Sequence, residues 1–273
     1  MIRLAVIGDP VGHSLSPLIH MTWIDALGLE ASYESIRVPD GETAAALDDL
    51  EQQDFQGLNV TLPHKQAVLA KVTATSAAVK AIGAANTLSR LPGGGWHADN
   101  TDAPGLIAAL ARIGFADFKG KTVLVLGAGG AARAGLFALD RAGADIILLN
   151  RTVEKAEQVL TECCSRAHLS GPLDALAEHA GRADFVINTT SAGHGGAHIP
   201  LPAGDGRLFF DMTYGNPAAV QLAHARAQGW KTEDGLGMLV GQAAESFSIW
   251  FDGVRPDIDI ALAACRASLE QNL

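Results

Sequence analysis

Residues 121–152 read KTVLVLGAGGAARAGLFALDRAGADIILLNRT, and their reading decides the fold. Val123–Leu126 is an apolar run of strand length, and GAGGAA (Gly127–Ala132) follows it directly. Helical sequence then continues through Arg133–Leu139, and Gly143 stands where a helix wants a left-handed residue to end it. A second apolar run closes on Asn150. Strand, glycine turn, helix and strand within about thirty residues make one βαβ unit.

The glycines have separate tasks in such a unit. Gly127 permits the tight turn, Gly129 lets backbone N–H groups approach a pyrophosphate at the helix start, and Ala132 is small enough to keep helix and strand close. The backbone of Gly127, Ala128, Gly129, Gly130 and Ala131 is therefore the expected phosphate cradle. A dinucleotide fold usually places an acid about twenty residues beyond the first glycine, on the ribose 2′-hydroxyl. Here, a little over twenty residues on, stand Asn150, Arg151 and Thr152, with Lys155 one helical turn beyond Arg151. A carboxylate would repel a 2′-phosphate, whereas a guanidinium can fork two hydrogen bonds onto it. The expected cofactor is NADP.

Outward from this unit, short β-like runs alternate with helical ones, the pattern of an α/β fold. Arg3–Ile7, Tyr33–Val38, Gly57–Val60 and Asn86–Arg90 read as strands, and Pro17–Leu27, Glu42–Gln52 and Lys65–Val72 as helices. Residues 91–105, rich in Gly, Pro and Asn, read as a hairpin tip followed by a hinge between domains. Asp184–Asn188 and Leu208–Met212 read as further strands, with a helix near Ala218–Gln228 and an edge strand and turn in 229–235. Met238–Trp250 and Pro256–Glu270 read as the last helices, with Pro256 suited to a first turn.

Composition narrows the function. The 273 residues suffice for two modest domains, and a formal net charge of −10 argues against a nucleic-acid or anionic-membrane partner. Cys163, Cys164 and Cys265 show no metal or CxxC spacing, which fits a reducing cytoplasm, and the adjacent pair reads as helix-packing thiols. His194 and His198 are four apart but lie in a glycine-rich run, so no metal site is expected. Neither a signal segment nor a membrane span is expected.

Polar pairs gather in the N-terminal part. Ser14 and Ser16 lie two apart, as do Asn59 and Thr61, with Lys65 close behind; Asn86, Thr87 and Asp102 add an amide, a hydroxyl and a carboxylate. Ser14 or Ser16 would equally serve as an N-cap for the helix at Pro17, and Asn59 and Thr61 as caps of the turn before Pro63. Neutral donors and acceptors around one Lys and one Asp suit a small polyhydroxylated carboxylate.

GHSLSP (12–17), NVTLPHK (59–65), GAANT (83–87), DNTD (99–102), GAGGAA, NRT (150–152), DMTYGNP (211–217) and DGLGMLVGQAAESF (234–247) together resemble the shikimate dehydrogenase family, in its order and over essentially the whole chain. The resemblance implies NADP-dependent reduction of 3-dehydroshikimate to shikimate; whether the protein is a monomer or a homodimer stays open. It implies a substrate carboxylate held by Ser14 and Ser16, and substrate contacts from Asn59, Thr61, Asn86, Tyr214 and Gln242. Lys65 and Asp102 would be the catalytic pair, and Gly235 would join the cofactor set. The implied architecture is an N-terminal α/β substrate-binding domain (1–101 and 236–273), completed by returning C-terminal helices, and a Rossmann-type domain (102–235).

Three departures suggest a divergent member. Ala103 replaces a frequent glycine, TYGNPAAVQL lacks the usual Tyr-x-Pro-x-x-Thr spacing, and His194 replaces an apolar residue on the nicotinamide side. Two alternatives stay open at this point: a quinate/shikimate dehydrogenase of broader specificity, and a non-catalytic NADP- or metabolite-binding paralogue.

Overall fold

A computed structural model describes residues 1–190 and 198–271. These form two compact units, Met1–Gly105 with Leu239–Leu273, and Leu106–Met238. The divisions fall a few residues beyond the sequence boundaries, inside two helices, α4 (Asp102–Arg112) and α9 (Leu236–Trp250).

In the first unit, β1 (Ile2–Gly8), α1 (Ser16–Leu27), β2 (Ala31–Arg37), α2 (Thr43–Gln52) and β3 (Gly57–Val60) lead to β4 (Ala74–Thr75), α3 (Ala77–Ile82), β5 (Thr87–Arg90) and β6 (Trp96–Asp99). The sheet order is β2-β1-β3-β5-β6-β4. β1 runs parallel to β2 and β3, while β5 is antiparallel to both β3 and β6. Val6, Ile7, Leu58 and Val60 are buried with Val38, Leu47, Phe55, Leu88 and Trp96, so β1 and β3 show the continuous apolar pattern of strands covered on both faces. Gly94 and Gly95, both at positive φ, turn the chain from β5 into β6.

Here the sequence reading needs two corrections. Residues 96–99 pair as a strand instead of belonging to a hinge, and the segment expected as a helix over Lys65–Val72 holds only a 3₁₀ turn at Ala67–Ala70. The Lys65 carbonyl accepts from Ala85 N at 2.8 Å. That tie to the segment before β5 takes up an oxygen a helix would have needed.

The second unit runs β7 (Thr122–Leu126), α5 (Gly130–Arg141), β8 (Asp145–Asn150), α6 (Val153–Cys163), β9 (Leu169–Pro172), α7 (Leu176–Ala180), β10 (Phe185–Asn188), β11 (Leu208–Asp211), α8 (Asn216–Ala227) and β12 (Lys231–Glu233). All six strands are parallel, in the order β12-β11-β10-β7-β8-β9. This is the doubly wound arrangement in which the order reverses beside the first strand, so the loop after β7 opens at the switch point. Gly143 takes φ +90°, and Ala144 N returns to Leu139 O at 3.0 Å, the left-handed helix end read from the sequence.

The last helix, α10, spans Ile258–Gln271. Pro256 precedes it instead of entering its first turn, because the Asp257 carboxylate accepts from Asp259 N at 2.8 Å and caps the helix. Among the described residues, no helix is long and apolar enough to cross a membrane.

Candidate active site

Lys65 and Asp102 meet. Lys65 Nζ lies 2.5 Å from Asp102 Oδ2, with both side chains largely buried. The lysine is delivered by a braced turn. His64 beside it is fully buried, with Nε2 donating to the Val38 carbonyl at 2.7 Å. A carbonyl can only accept, so Nε2 carries a proton, and Nδ1 lies 2.8 Å from the Thr43 hydroxyl. Asp102 opens α4, where a helix N-terminus favours its charge.

Asn86 supports the other carboxylate oxygen. Thr101 N donates to Asn86 Oδ1 at 2.7 Å, which turns Nδ2 toward Asp102 Oδ1 at 2.9 Å and Gln242 Oε1 at 3.0 Å. Gln242 comes from α9, and its own Nε2 donates to Leu239 O at 2.8 Å. The close approach of α9 to α4 requires glycine. A Cβ at Gly105 would stand 2.7 Å from Gln242 N, and one at Gly241 would stand 3.1 Å from Gly105 O.

Asn59 is buried and bonded on all sides. Its Oδ1 accepts from the Tyr33 hydroxyl at 2.7 Å, while Nδ2 donates to Asn86 O at 3.1 Å and Ser246 Oγ at 3.0 Å. It ties β2, β3 and α9 together and caps no turn. Thr61 is half-buried at the end of β3, its N–H on Ile7 O at 2.9 Å. Of the two serines, Ser14 serves the helix start: its Oγ accepts from Ser16 N at 3.2 Å. Ser16 begins α1 and is buried.

Sequence reasoning missed Tyr33, Thr101 and Ser246. Ser246 had a signal, being the polar residue one helical turn after Gln242 in a largely apolar helix; its hydroxyl meets Thr87 Oγ1 at 2.7 Å and Thr101 Oγ1 at 3.0 Å.

The second unit carries the nucleotide features. Gly127 takes φ +96°, and a Cβ there would press on Thr189 and Thr190 at 2.8 and 2.9 Å. Gly129 and Gly130 are different, since a Cβ on either meets nothing within 4 Å. Packing does not demand glycine at these two positions, whereas a phosphate lying on the backbone would. Ala128 is buried behind the loop, and Ala131 with Gly130 forms the first turn of α5. Asn150 Nδ2 donates to Thr152 O at 2.8 Å, closing the bend that carries Arg151, and Arg151, Thr152 and Lys155 are exposed. These residues fit a dinucleotide with a 2′-phosphate. Gly235 has a structural reason of its own, because a Cβ there would strike the Met212 carbonyl.

Tyr214 belongs to this unit, half-buried on the loop between β11 and α8. Gly215 at φ +64° and Pro217 in the first turn of α8 accommodate its altered spacing. Ala103 is buried, with its N–H on Asn100 Oδ1 at 3.2 Å, so the methyl group is accommodated. His194 lies outside the described residues.

Asp140, Cys164 and His168 place their ligand atoms within 4.8 Å of one another. Asp140 is already satisfied without a metal, by Ser165 N and Oγ, by His168 Nε2 at 2.9 Å and by the Arg166 guanidinium at 3.1 Å. Burial pushes the Cys164 thiol up to about 12, far from a thiolate ligand. Cys163 ends α6 buried, as a packing thiol does.

The comparisons with known proteins converge. The chain matches the family models for the shikimate dehydrogenase substrate binding domain over residues 6–88, shikimate / quinate 5-dehydrogenase over 109–196, and the shikimate 5'-dehydrogenase C-terminal domain over 235–266. It is 43% identical to a shikimate dehydrogenase (NADP(+)) of Hyphomonas neptunium, with 98% of this chain and 97% of that one aligned. A second, from Methanocella arvoryzae, is 40% identical over 97% and 98% of the two chains. The crystal structure of shikimate 5-dehydrogenase from Thermus thermophilus in complex with NADP(H) and shikimate superposes with a TM-score of 0.86 at 37% identity, covering 98% of this chain and 99% of that one. The chain belongs to the shikimate dehydrogenase family.

Proposed function

We propose that the protein catalyses the reversible, NADP-dependent reduction of 3-dehydroshikimate to shikimate. The observation that carries this reading is the buried Lys65–Asp102 contact at 2.5 Å, with Asn86 on the second carboxylate oxygen. It sits in a chain that aligns with shikimate dehydrogenases along nearly its whole length.

NADPH, when bound, supplies the hydride that reduces the carbonyl carbon. The backbone from Gly127 to Ala131 would hold its pyrophosphate, with Arg151, Thr152 and Lys155 taking the 2′-phosphate. Lys65 donates a proton to the carbonyl oxygen as the alcohol forms and recovers it in the reverse direction. Asp102 holds the lysine on that oxygen and accepts from the neighbouring hydroxyl. Ser14, Ser16 and Thr61 offer hydroxyls to the substrate, Tyr214 a phenol, and Asn59, Asn86 and Gln242 the amides that shape its pocket.

Initial rates with shikimate and quinate, each against NADP and NAD, test the reading. Shikimate with NADP should give the highest kcat/KM. A preference for quinate would make the protein a quinate/shikimate dehydrogenase of broader specificity, and tight NADP binding without turnover would make it a binding paralogue. Arg151→Asp should move cofactor preference toward NAD by about tenfold or more, the effect of losing a charge-assisted pair and adding a like charge; unchanged preference would overturn the role of Arg151.

A further inference from the structure

A buried tyrosine has no task in the proton transfer. Tyr33 of β2 is almost fully buried and stacks on His20 of α1, with ring centroids 4.2 Å apart and planes 7° apart. Trp23 and Phe247 pack on the same histidine, at 5.6 and 6.1 Å. Burial pushes His20 down to about 3, offset in part by Asn59, so its ring is uncharged. A residue needed only to fill this apolar layer would be phenylalanine, because a buried hydroxyl is costly unless bonded.

The Tyr33 hydroxyl is bonded, and its bond has a direction. Asn59 Nδ2 faces the Asn86 carbonyl, which accepts only, so the amide oxygen must face Tyr33 and the phenol must donate. From Asn59 the contacts continue to Ser246 Oγ, then to Thr87 and Thr101. Thr87 Oγ1 reaches Asn86 Oδ1 at 3.2 Å, and Asn86 Nδ2 reaches Asp102. The chain joins β2, β3, α9, β5 and the start of α4.

We propose that the Tyr33 hydroxyl is a positioning group for Asp102. It fixes the Asn59 amide, and through Ser246 and the two threonines that amide fixes Asn86 on the carboxylate that holds Lys65. Tyr33 touches neither reacting atom; it acts through the amides. The inference rests on the catalytic reading of Lys65 and Asp102.

Tyr33→Phe keeps the ring stack and removes only the hydroxyl. The expected result is a fall in kcat of about tenfold, with KM for shikimate within about twofold. The side-chain NH₂ signals of Asn59 and Asn86, followed by NMR, should both lose protection from hydrogen exchange. Ile19→Val removes a methylene from the same buried face of α1 and should leave kcat and both amide signals unchanged. Ser246→Ala interrupts the chain from the α9 side and should reproduce the kcat loss even where Tyr33→Phe fails to fold. In the double variant the combined loss should be smaller than the product of the single ones.

An unchanged kcat in Tyr33→Phe, or lost protection at Asn59 alone, overturns the proposal. If the unmodified protein does not reduce 3-dehydroshikimate at all, the catalytic reading fails, and the Asn86 signal still decides the positioning.

Discussion

The two proposed ligand-facing regions are built on opposite plans. Around Asp102 the polar groups of Asn59, Asn86, Thr87, Thr101, Gln242 and Ser246 are bonded to one another before any substrate arrives. Around Gly129 and Gly130 the chain presents backbone and leaves the space of a side chain empty. The first plan fixes one carboxylate and one ammonium to within a hydrogen bond's tolerance, as proton transfer requires. The second leaves backbone donors free for a phosphate. Damage to the first should therefore appear in kcat, and damage to the second in cofactor affinity.

Lys65→Ala is the strongest test of that division. It should lower kcat by about 10²–10⁴-fold while shikimate binding, measured by calorimetry, stays near its original strength. Equal loss of binding with turnover intact would give the lysine another role. The glycine loop offers a paired test of intermediate size. Gly129→Ala has room for its methyl at φ −89°, so the melting temperature should hold while NADP affinity falls about tenfold or more. Gly127→Ala must adopt φ +96° against Thr189 and Thr190, and should cost about 1–3 kcal/mol of stability as well. Equal melting temperatures for the two variants would break the distinction.

The last test concerns acid. His20 is held uncharged in the folded protein at about 3 against an ordinary 6.5, by burial among Tyr33, Trp23, Phe247 and Trp250. The unfolded chain therefore binds the extra proton between those values. This contribution is fully present above about pH 6.5 and shrinks by about 1.4 kcal/mol per unit as pH falls toward 3. His20→Phe should flatten the fall in urea midpoint between pH 6 and 4, and an unchanged slope would show that His20 carries no part of it.

Much of this was legible because the signals were local. GAGGAA, the strand before it and Arg151 after it lie within one βαβ unit, and the parallel sheet follows from that period. The serine pair and NVTLPHK were legible as polar punctuation at strand ends. What escaped depends on distant partners. Lys65 looks helical in its own window, but Ala85 draws its carbonyl away. Trp96–Asp99 has too few apolar positions to read as a strand without β5 beside it. Tyr33 is an ordinary strand tyrosine until Asn59, 26 residues away, accepts its hydrogen bond. The need for glycine at 105 appears only when α9 crosses it.

That crossing sets an order of assembly. The proposed acid–base pair is complete in the chain once Asp102 has been made, yet Asn86 finds Gln242 at a separation of 156 residues and Asn59 finds Ser246 at 187. A nascent chain emerging from the ribosome carries both groups early and lacks the contacts from α9 while the entire second unit is synthesised. Contacts of such range close late and slowly. Catalytic competence should thus arrive in a single step, when α9 emerges and its glycine settles over Gly105.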